Sequence, residues 1–137
     1  MSTVHAVISD GPLDSSTVDE FVWQAESGAV VSFQGIVRDH DGGRGVVSLD
    51  YRGHPEAERF LRECCEEVAQ RTGLRVAAEH RVGSLTIGDL ALIAAVAAPH
   101  RAEAFAACAE LVEEIKRRVP IWKRQHFADG VSEWVGL

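Results

Sequence analysis

Residues Leu90–Ala97 are apolar without interruption, and that run restricts the fold more than any other segment. A strand with one wet face alternates apolar and polar side chains, so eight apolar residues in a row fit a strand that is fully buried. Gly88-Asp89 punctuates the chain before the run and Ala98-Pro99-His100 closes it. The run is far too short to cross a membrane as a helix.

The remaining elements follow from pattern and punctuation. Asp14-Ser15-Ser16 offers helix caps, and Val18, Phe21, Val22 and Ala25 recur at helical spacing until Gly28 stops them. Ala29–Val37 is apolar and β-branched, breaks at a glycine-rich loop over residues 39–45, and resumes as Val47, Leu49 and Tyr51 alternating with Ser48 and Asp50. Pro55 suits the first turn of a second helix, with Phe60, Leu61, Cys64 and Val68 on one face and Gly73 at its end. Leu74–Val82 reads as a strand ahead of the buried one. After Pro99-His100-Arg101 a third helix carries Phe105, Cys108, Val112, Ile115 and Val119 at helical period until Pro120. Ile121–Phe127 and Val131–Val135 flank Ala128-Asp129-Gly130, a hairpin signature. Hairpins mixed with three helices predict an α+β fold, a mainly antiparallel sheet covered by helices, in one domain over residues 1–137.

Composition narrows the function. Met1-Ser2-Thr3-Val4-His5 lacks the basic and apolar regions of a secretory signal, so the expected compartment is the cytoplasm, away from membranes. Cys64 and Cys65 are adjacent and Cys108 stands alone, a spacing that suits neither a metal site nor a disulfide framework, and they read as buried thiols. A formal charge of −7 argues against general nucleic-acid binding. The acidity is uneven, however: Lys116, Arg117, Arg118, Lys123 and Arg124 fall within nine residues, which points to a specific anion site on an acidic protein.

Several residues could build that site. Pro99-His100-Arg101 lies where a strand hands over to a helix, so backbone N–H groups, an imidazole and a guanidinium could meet one anion; the alternative is a cap and a solvated arginine. Arg38 ends a strand and enters a mobile loop, or else pairs with Asp39 or Asp41. Arg117 and Arg118 suit the negative end of their helix. Lys116 borders the apolar face, and Pro120 swings the chain so that Lys123 can approach it. Two adjacent, partly buried lysines lower each other's proton affinity and can supply an amine near neutral pH. Trp122 and Trp134 read as packing partners on the last hairpin. His40, His54, His80 and His126 form no metal-binding spacing.

Taken together, Ser32-Phe33-Gln34-Gly35-Ile36-Val37-Arg38-Asp39-His40, Leu49-Asp50-Tyr51, Pro99-His100-Arg101 and the stretch from Ile115 to Arg124 resemble the catalytic large subunit of molybdopterin synthase, the MoaE family. The resemblance implies a MoaE-like α/β hammerhead fold and a sulfurtransferase that converts cyclic pyranopterin monophosphate (precursor Z) into the molybdopterin dithiolene of the molybdenum cofactor. It implies no metal or other cofactor for that step. The implied partners are a MoaD-like ubiquitin-fold small subunit, whose C-terminal Gly-Gly thiocarboxylate supplies sulfur, and a second copy of the chain, as a homodimer within a heterotetramer. It assigns Lys116 and Lys123 as catalytic and Arg38, His100, Arg101 and Arg124 as substrate-binding, with Ile36, Val37 and Gln125 beside them. Ile36 stands where many relatives carry a lysine.

One geometric expectation goes further. Along an unbroken helix His100 and Lys116 lie roughly 24 Å apart at ~1.5 Å per residue, too far for one small pocket. Arg38, His100 and Arg101 of one subunit are therefore expected to face Lys116 and Lys123 of the other. Two other classes stay open: a non-catalytic module, or low-activity paralogue, that binds an anionic metabolite through the same groups, and a hydrolase with His100 as base, for which no nucleophile sits at recognisable spacing.

Overall fold

The computed structural model describes residues 3–137; Met1 and Ser2, where the segment read as lacking a signal begins, lie outside the described residues. The chain runs through β1 (Val4–Ser9), α1 (Ser15–Val22), β2 (Ala29–Ile36), β3 (His40–Asp41), β4 (Arg44–Gly53), α2 (Ala57–Thr72), β5 (Arg75–Arg81), β6 (Gly83–Thr86), β7 (Leu90–Ala98), α3 (Arg101–Arg118), β8 (Ile121–Phe127) and β9 (Ser132–Gly136). Three helices over mostly antiparallel strands confirm the α+β expectation.

The strands form two sheets. The first has the order β1-β5-β7-β2, and the second runs β3-β4-β8-β9 with β6 also paired to β4. In the first sheet β7 lies antiparallel between β5 and β2. Its Leu92, Ala94 and Val96 join the core beneath α2 and α3, whereas Ile93, Ala95 and Ala97 join a second cluster with Val18 and Val22 of α1. Both faces are covered, which is why the run needs no polar alternation.

Local signals act as their chemistry requires. The Asp14 carboxylate accepts a hydrogen bond from the Ser16 N–H, capping α1. Gly73 closes α2 at φ 74°, and its N–H donates to the Ala69 carbonyl. In the last hairpin the Phe127 N–H donates to the Val131 carbonyl, and Gly130 takes φ 87°.

The structure departs from expectation in several places, and α2 starts at Ala57 with Glu56 as its cap, leaving Pro55 ahead of the helix. β1 was not anticipated, and it pairs parallel with β5, Val4 opposite Val76. Helix α1 ends at Val22 rather than reaching the Gly28 stop, leaving Trp23 exposed. Phe105, placed by spacing on the buried stripe of α3, is 61% exposed, because Ala104, Cys108, Leu111 and Ile115 form the inward stripe instead. Trp122 and Trp134 are not packed together: Trp122 sits opposite Gly136, and Trp134 lies opposite Arg124 with the Arg52 and Arg124 guanidinium groups over its ring. All three cysteines are buried and free, and burial pushes the Cys65 thiol up to about 12 and Cys108 to about 11. No helix is long and apolar enough to cross a membrane among the described residues.

Gly28 ties the entry of β2 to the turn before α3. Its N–H donates to the Ala98 carbonyl, and a Cβ added there would lie 2.2 Å from the Pro99 carbonyl oxygen. Backbone atoms cannot yield as a flexible side chain can. Gly28→Ala is expected to lower stability by about 1–3 kcal/mol in urea unfolding, while Gly11→Ala, whose added carbon meets only the Ser9 hydroxyl at 4.0 Å, stays within about 0.5 kcal/mol.

Candidate active site

The two sheets meet over a cavity of about 290 Å³. The end of β2 and the residues after it supply Ile36, Val37 and Arg38; β4 supplies Leu49 and Tyr51; β8 supplies Lys123 and Gln125; α3 supplies Lys116 from its last turn; and β5 supplies His80. On β4 and β8 the register sets Tyr51 opposite Lys123 and Leu49 opposite Gln125, so alternate residues of both strands face the cavity. No Asp or Glu lines it.

Pro120 performs the step expected of it. The helix stops at Arg118, and β8 begins at Ile121 and joins the second sheet, which brings Lys123 back to Lys116 within one protomer. Part of the Lys116 side chain remains open to solvent. Loss of water around its amine is nevertheless the largest cause of its depressed pKa; the Lys123 charge depresses it further, and Glu113 opposes both.

The chain contains only two lysines among its 14 basic residues, and both line this cavity. Arginine keeps its proton under any condition a protein survives, whereas an ammonium can be driven to lose one by its surroundings. Twelve positions, Arg38 at the cavity among them, use the permanent cation, and the adjustable one occurs only in the cavity.

His80 was set aside at the level of sequence, where it lacks a metal-binding neighbour. The structure places it in the cavity wall at 2% exposure, edge-on to the Tyr51 ring with centroids 4.9 Å apart. Its Nδ1–H donates to the Arg81 carbonyl at 2.7 Å; a carbonyl can only accept, so the lone pair of the neutral ring sits on Nε2. Burial, opposed by that hydrogen bond and reinforced by the Lys116 charge, lowers the imidazole pKa to about 4.

The expected division of the site between subunits is corrected in part. Arg38 shares the cavity with Lys116 and Lys123 of its own chain, so it does not belong with a partner's half-site. It also donates to Asp41 at 3.3 Å in an exposed pair, which contributes little. His100 and Arg101 open α3, an unbroken helix of 18 residues, at the end away from Lys116, and neither reaches the cavity of the same chain. Arg124 points to the other face of β8, toward Trp134. Among the described residues no group of three or more His, Cys, Asp or Glu could hold a metal ion.

Fold and cavity together define a class: a small two-sheet α+β protein with an acid-free pocket that sets paired lysines against an arginine. Comparison with known proteins carries this to a family. The chain belongs to the MoaE family, whose model, described as MoaE protein, matches residues 8–118; Lys116 falls inside that segment and Lys123 beyond it. It is 43% identical over 133 residues to the molybdopterin synthase catalytic subunit 1 of Mycobacterium tuberculosis, covering 94% of this chain and 88% of that protein. It is 36% identical to the molybdopterin synthase catalytic subunit of a Nostoc species, covering 95% and 81%. The crystal structure of molybdopterin synthase from Staphylococcus aureus superposes with a TM-score of 0.88 at 34% identity, over 100% of this chain and 99% of that one. A chain in the complex of subunits 1 and 2 of the Helicobacter pylori molybdopterin-converting factor has the same fold, with a TM-score of 0.74 at 19% identity over 98% and 90% of the two chains.

A buried neutral histidine links stability to pH. Between the ordinary imidazole value and the folded value of about 4, the unfolded chain takes up a proton that the folded chain refuses, so stability falls as pH falls through that window. Between pH 7 and pH 4.5 wild type is expected to lose roughly 2 kcal/mol more than His80→Gln in urea unfolding; equal losses would place the imidazole in a wetter setting.

Proposed function

We propose that this chain is the catalytic subunit of a molybdopterin synthase, a sulfurtransferase that works in the cytoplasm and moves sulfur from the thiocarboxylated Gly-Gly tail of a MoaD-like small subunit onto cyclic pyranopterin monophosphate. The observation that carries this reading is the convergence of the only two lysines of the chain, with Arg38, in one acid-free cavity. Both reactants are anionic, and acyl transfer from a thiocarboxylate builds negative charge that fixed cations stabilise.

In this reading Lys116 is the reacting or positioning amine, its depressed pKa giving it free-base character closer to neutral pH than an ordinary lysine. Lys123 holds the second charge and lowers the proton affinity of Lys116. Arg38 receives phosphate at the rim, Ile36 and Val37 form the apolar lip, and Gln125 closes the floor. The same depressed pKa favours catalysis over a purely binding module, in which two lysines serving only as charge gain nothing from losing protons.

His100 and Arg101 are assigned to substrate through assembly, and Arg124 by family resemblance alone. A two-fold axis that sets two α3 helices antiparallel brings His100 and Arg101 of one protomer to the Lys116 end of the other. An apolar groove between β2 and α3, lined by Val31, Phe33, Phe105 and Val112, lies along that path, and the exposed Phe105 is the side chain a second copy would cover. The small subunit takes its place by family resemblance, in keeping with the two-subunit complex of the H. pylori protein of the same fold.

The test mixes the purified chain with precursor Z and a thiocarboxylated small subunit and measures molybdopterin. Wild type should form product, and Lys116→Ala or Lys123→Ala should lower the rate at least ~100-fold while remaining folded dimers. A wild-type chain that binds precursor Z without converting it would instead support the binding module.

A further inference from the structure

The face of the second sheet turned away from the cavity carries a polar cluster of its own. Leu49 and Tyr51 of β4 and Lys123 and Gln125 of β8 point into the cavity, so Asp50 on one strand and Arg124 and His126 on the other point outward. Ser84 of β6 lies opposite Asp50, and Ser132 of β9 lies opposite His126. Four strands thus contribute one side chain each to a continuous chain of hydrogen bonds. The Ser84 hydroxyl donates to Asp50 Oδ1 at 2.6 Å, His126 Nε2 lies 2.8 Å from Asp50 Oδ2, and the Ser132 hydroxyl lies 2.8 Å from His126 Nδ1.

The order of these bonds fixes where the protons sit. An ionised carboxylate only accepts, so Nε2 carries the hydrogen and the neutral ring presents its lone pair at Nδ1. Ser132 then donates to the ring, which is the arrangement of a hydroxyl, its base and the carboxylate that orients the base. Asp50 is held ionised by the Ser84 hydroxyl first and His126 second, both lowering its pKa against the opposing effect of burial. Neighbouring contacts hold Ser132 in place: the Val131 N–H donates to the Asp129 carboxylate at 2.9 Å, and Arg44 bridges Asp129 and Glu133. Access is open, since the His126 side chain is 30% exposed and that of Asp50 36%.

Beside the cluster lies a groove of about 300 Å³ whose lining includes Asp50, Arg52, Ser84, Arg124 and Trp134. The guanidinium carbons of Arg52 and Arg124 stand 5.7 and 5.9 Å from the centre of the Trp134 ring. Among the described residues neither arginine forms an ion pair, on a chain of net charge −7 that has carboxylates to spare. Two such cations at one groove suit a ligand that carries an anionic group.

We propose that Ser132, His126 and Asp50 form a second, hydrolytic site, with Ser132 as nucleophile, His126 as general base and Asp50 as the orienting carboxylate, for a small ester whose acyl group directs an anion toward Arg52. Ser132 Oγ bonds to the acyl carbon as its proton passes to His126 Nδ1. The bond from that carbon to the alcohol oxygen breaks, and the leaving oxygen takes the proton. Water then attacks the acyl-serine and gives a proton to Nδ1, and Ser132 Oγ leaves with it, so that ester and water become acid and alcohol. The site does not depend on the sulfurtransferase reading of the cavity.

The test offers the full chain two esters, anionic 4-nitrophenyl hemisuccinate and neutral 4-nitrophenyl acetate. Wild type is expected to release nitrophenol over many turnovers, whereas acylation of Lys116 would stop after one equivalent. Ser132→Ala and His126→Gln should each lower turnover about 100-fold, and Asp50→Asn at least ~10-fold through loss of ring orientation. Arg52→Gln should raise KM for the hemisuccinate about fivefold more than for the acetate. A fluorophosphonate probe should label the wild-type peptide that contains Ser132 and leave His126→Gln unlabelled. Release that stops at one equivalent, turnover unchanged in folded Ser132→Ala, or absence of label on Ser132 in the wild-type chain overturns the proposal. Molybdopterin formation by Ser132→Ala should stay within about twofold of wild type; a parallel loss of both activities would make Ser132 part of the first site and overturn a separate one.

Discussion

Strand β7 has no wet face, and the placement of the cavity depends on that constraint. Its small side chains let α1 close on one side and α2 and α3 on the other, so the strand is held between layers and its ends are fixed in space. Ala98 hands over through Pro99 to a helix of 18 residues that lies across the sheet. Rigid at both ends, that helix delivers Lys116 to a defined place, and Pro120 returns the chain as β8 to put Lys123 beside it. A flexible loop could not hold two like charges together against their repulsion; a buried strand and a helix can.

Lysine is confined to that place. Elsewhere the chain uses arginine, often in exposed pairs with carboxylates such as Arg59 with Glu56 and Glu63 or Arg44 with Asp129 and Glu133, where a permanent charge is enough. In the cavity the carboxylates are absent and water is thinned. The cost of an ammonium there is what makes a reactive amine attainable, and His80, kept neutral by the same burial, adds an acceptor without adding charge.

Much of this was legible in the residues. The apolar run at 90–97, the glycine cap at 73 and the Asp-Gly hairpin each had one physical reading, and Pro120 between Lys116 and Lys123 pointed to their meeting. Other features were hidden because their cause is not local. Strand β1 is short and pairs with β5, far along the chain; β3 and β6 are two and four residues long. Phe105 has the spacing of a core residue, and only the packing of α3 shows its smaller neighbours taking that role. Arg38 was grouped with His100 and Arg101, yet it shares a cavity with Lys116 and Lys123 of its own chain, because the distance along α3 says nothing about where the β2 end lies. His80 was read only as a histidine without a metal-binding neighbour, and only the fold sets it in the wall of the cavity that holds both lysines.

The central claim is that the working site takes its lysines from one protomer and His100 with Arg101 from another. The most direct measurement co-refolds two variants, Lys116→Ala and His100→Ala, and assays molybdopterin formation against each variant alone. Each homodimer should be nearly inactive, and random pairing should return about a quarter of the wild-type sites, one intact site in each mixed dimer. A mixture as inactive as its components would contradict a site shared in this way.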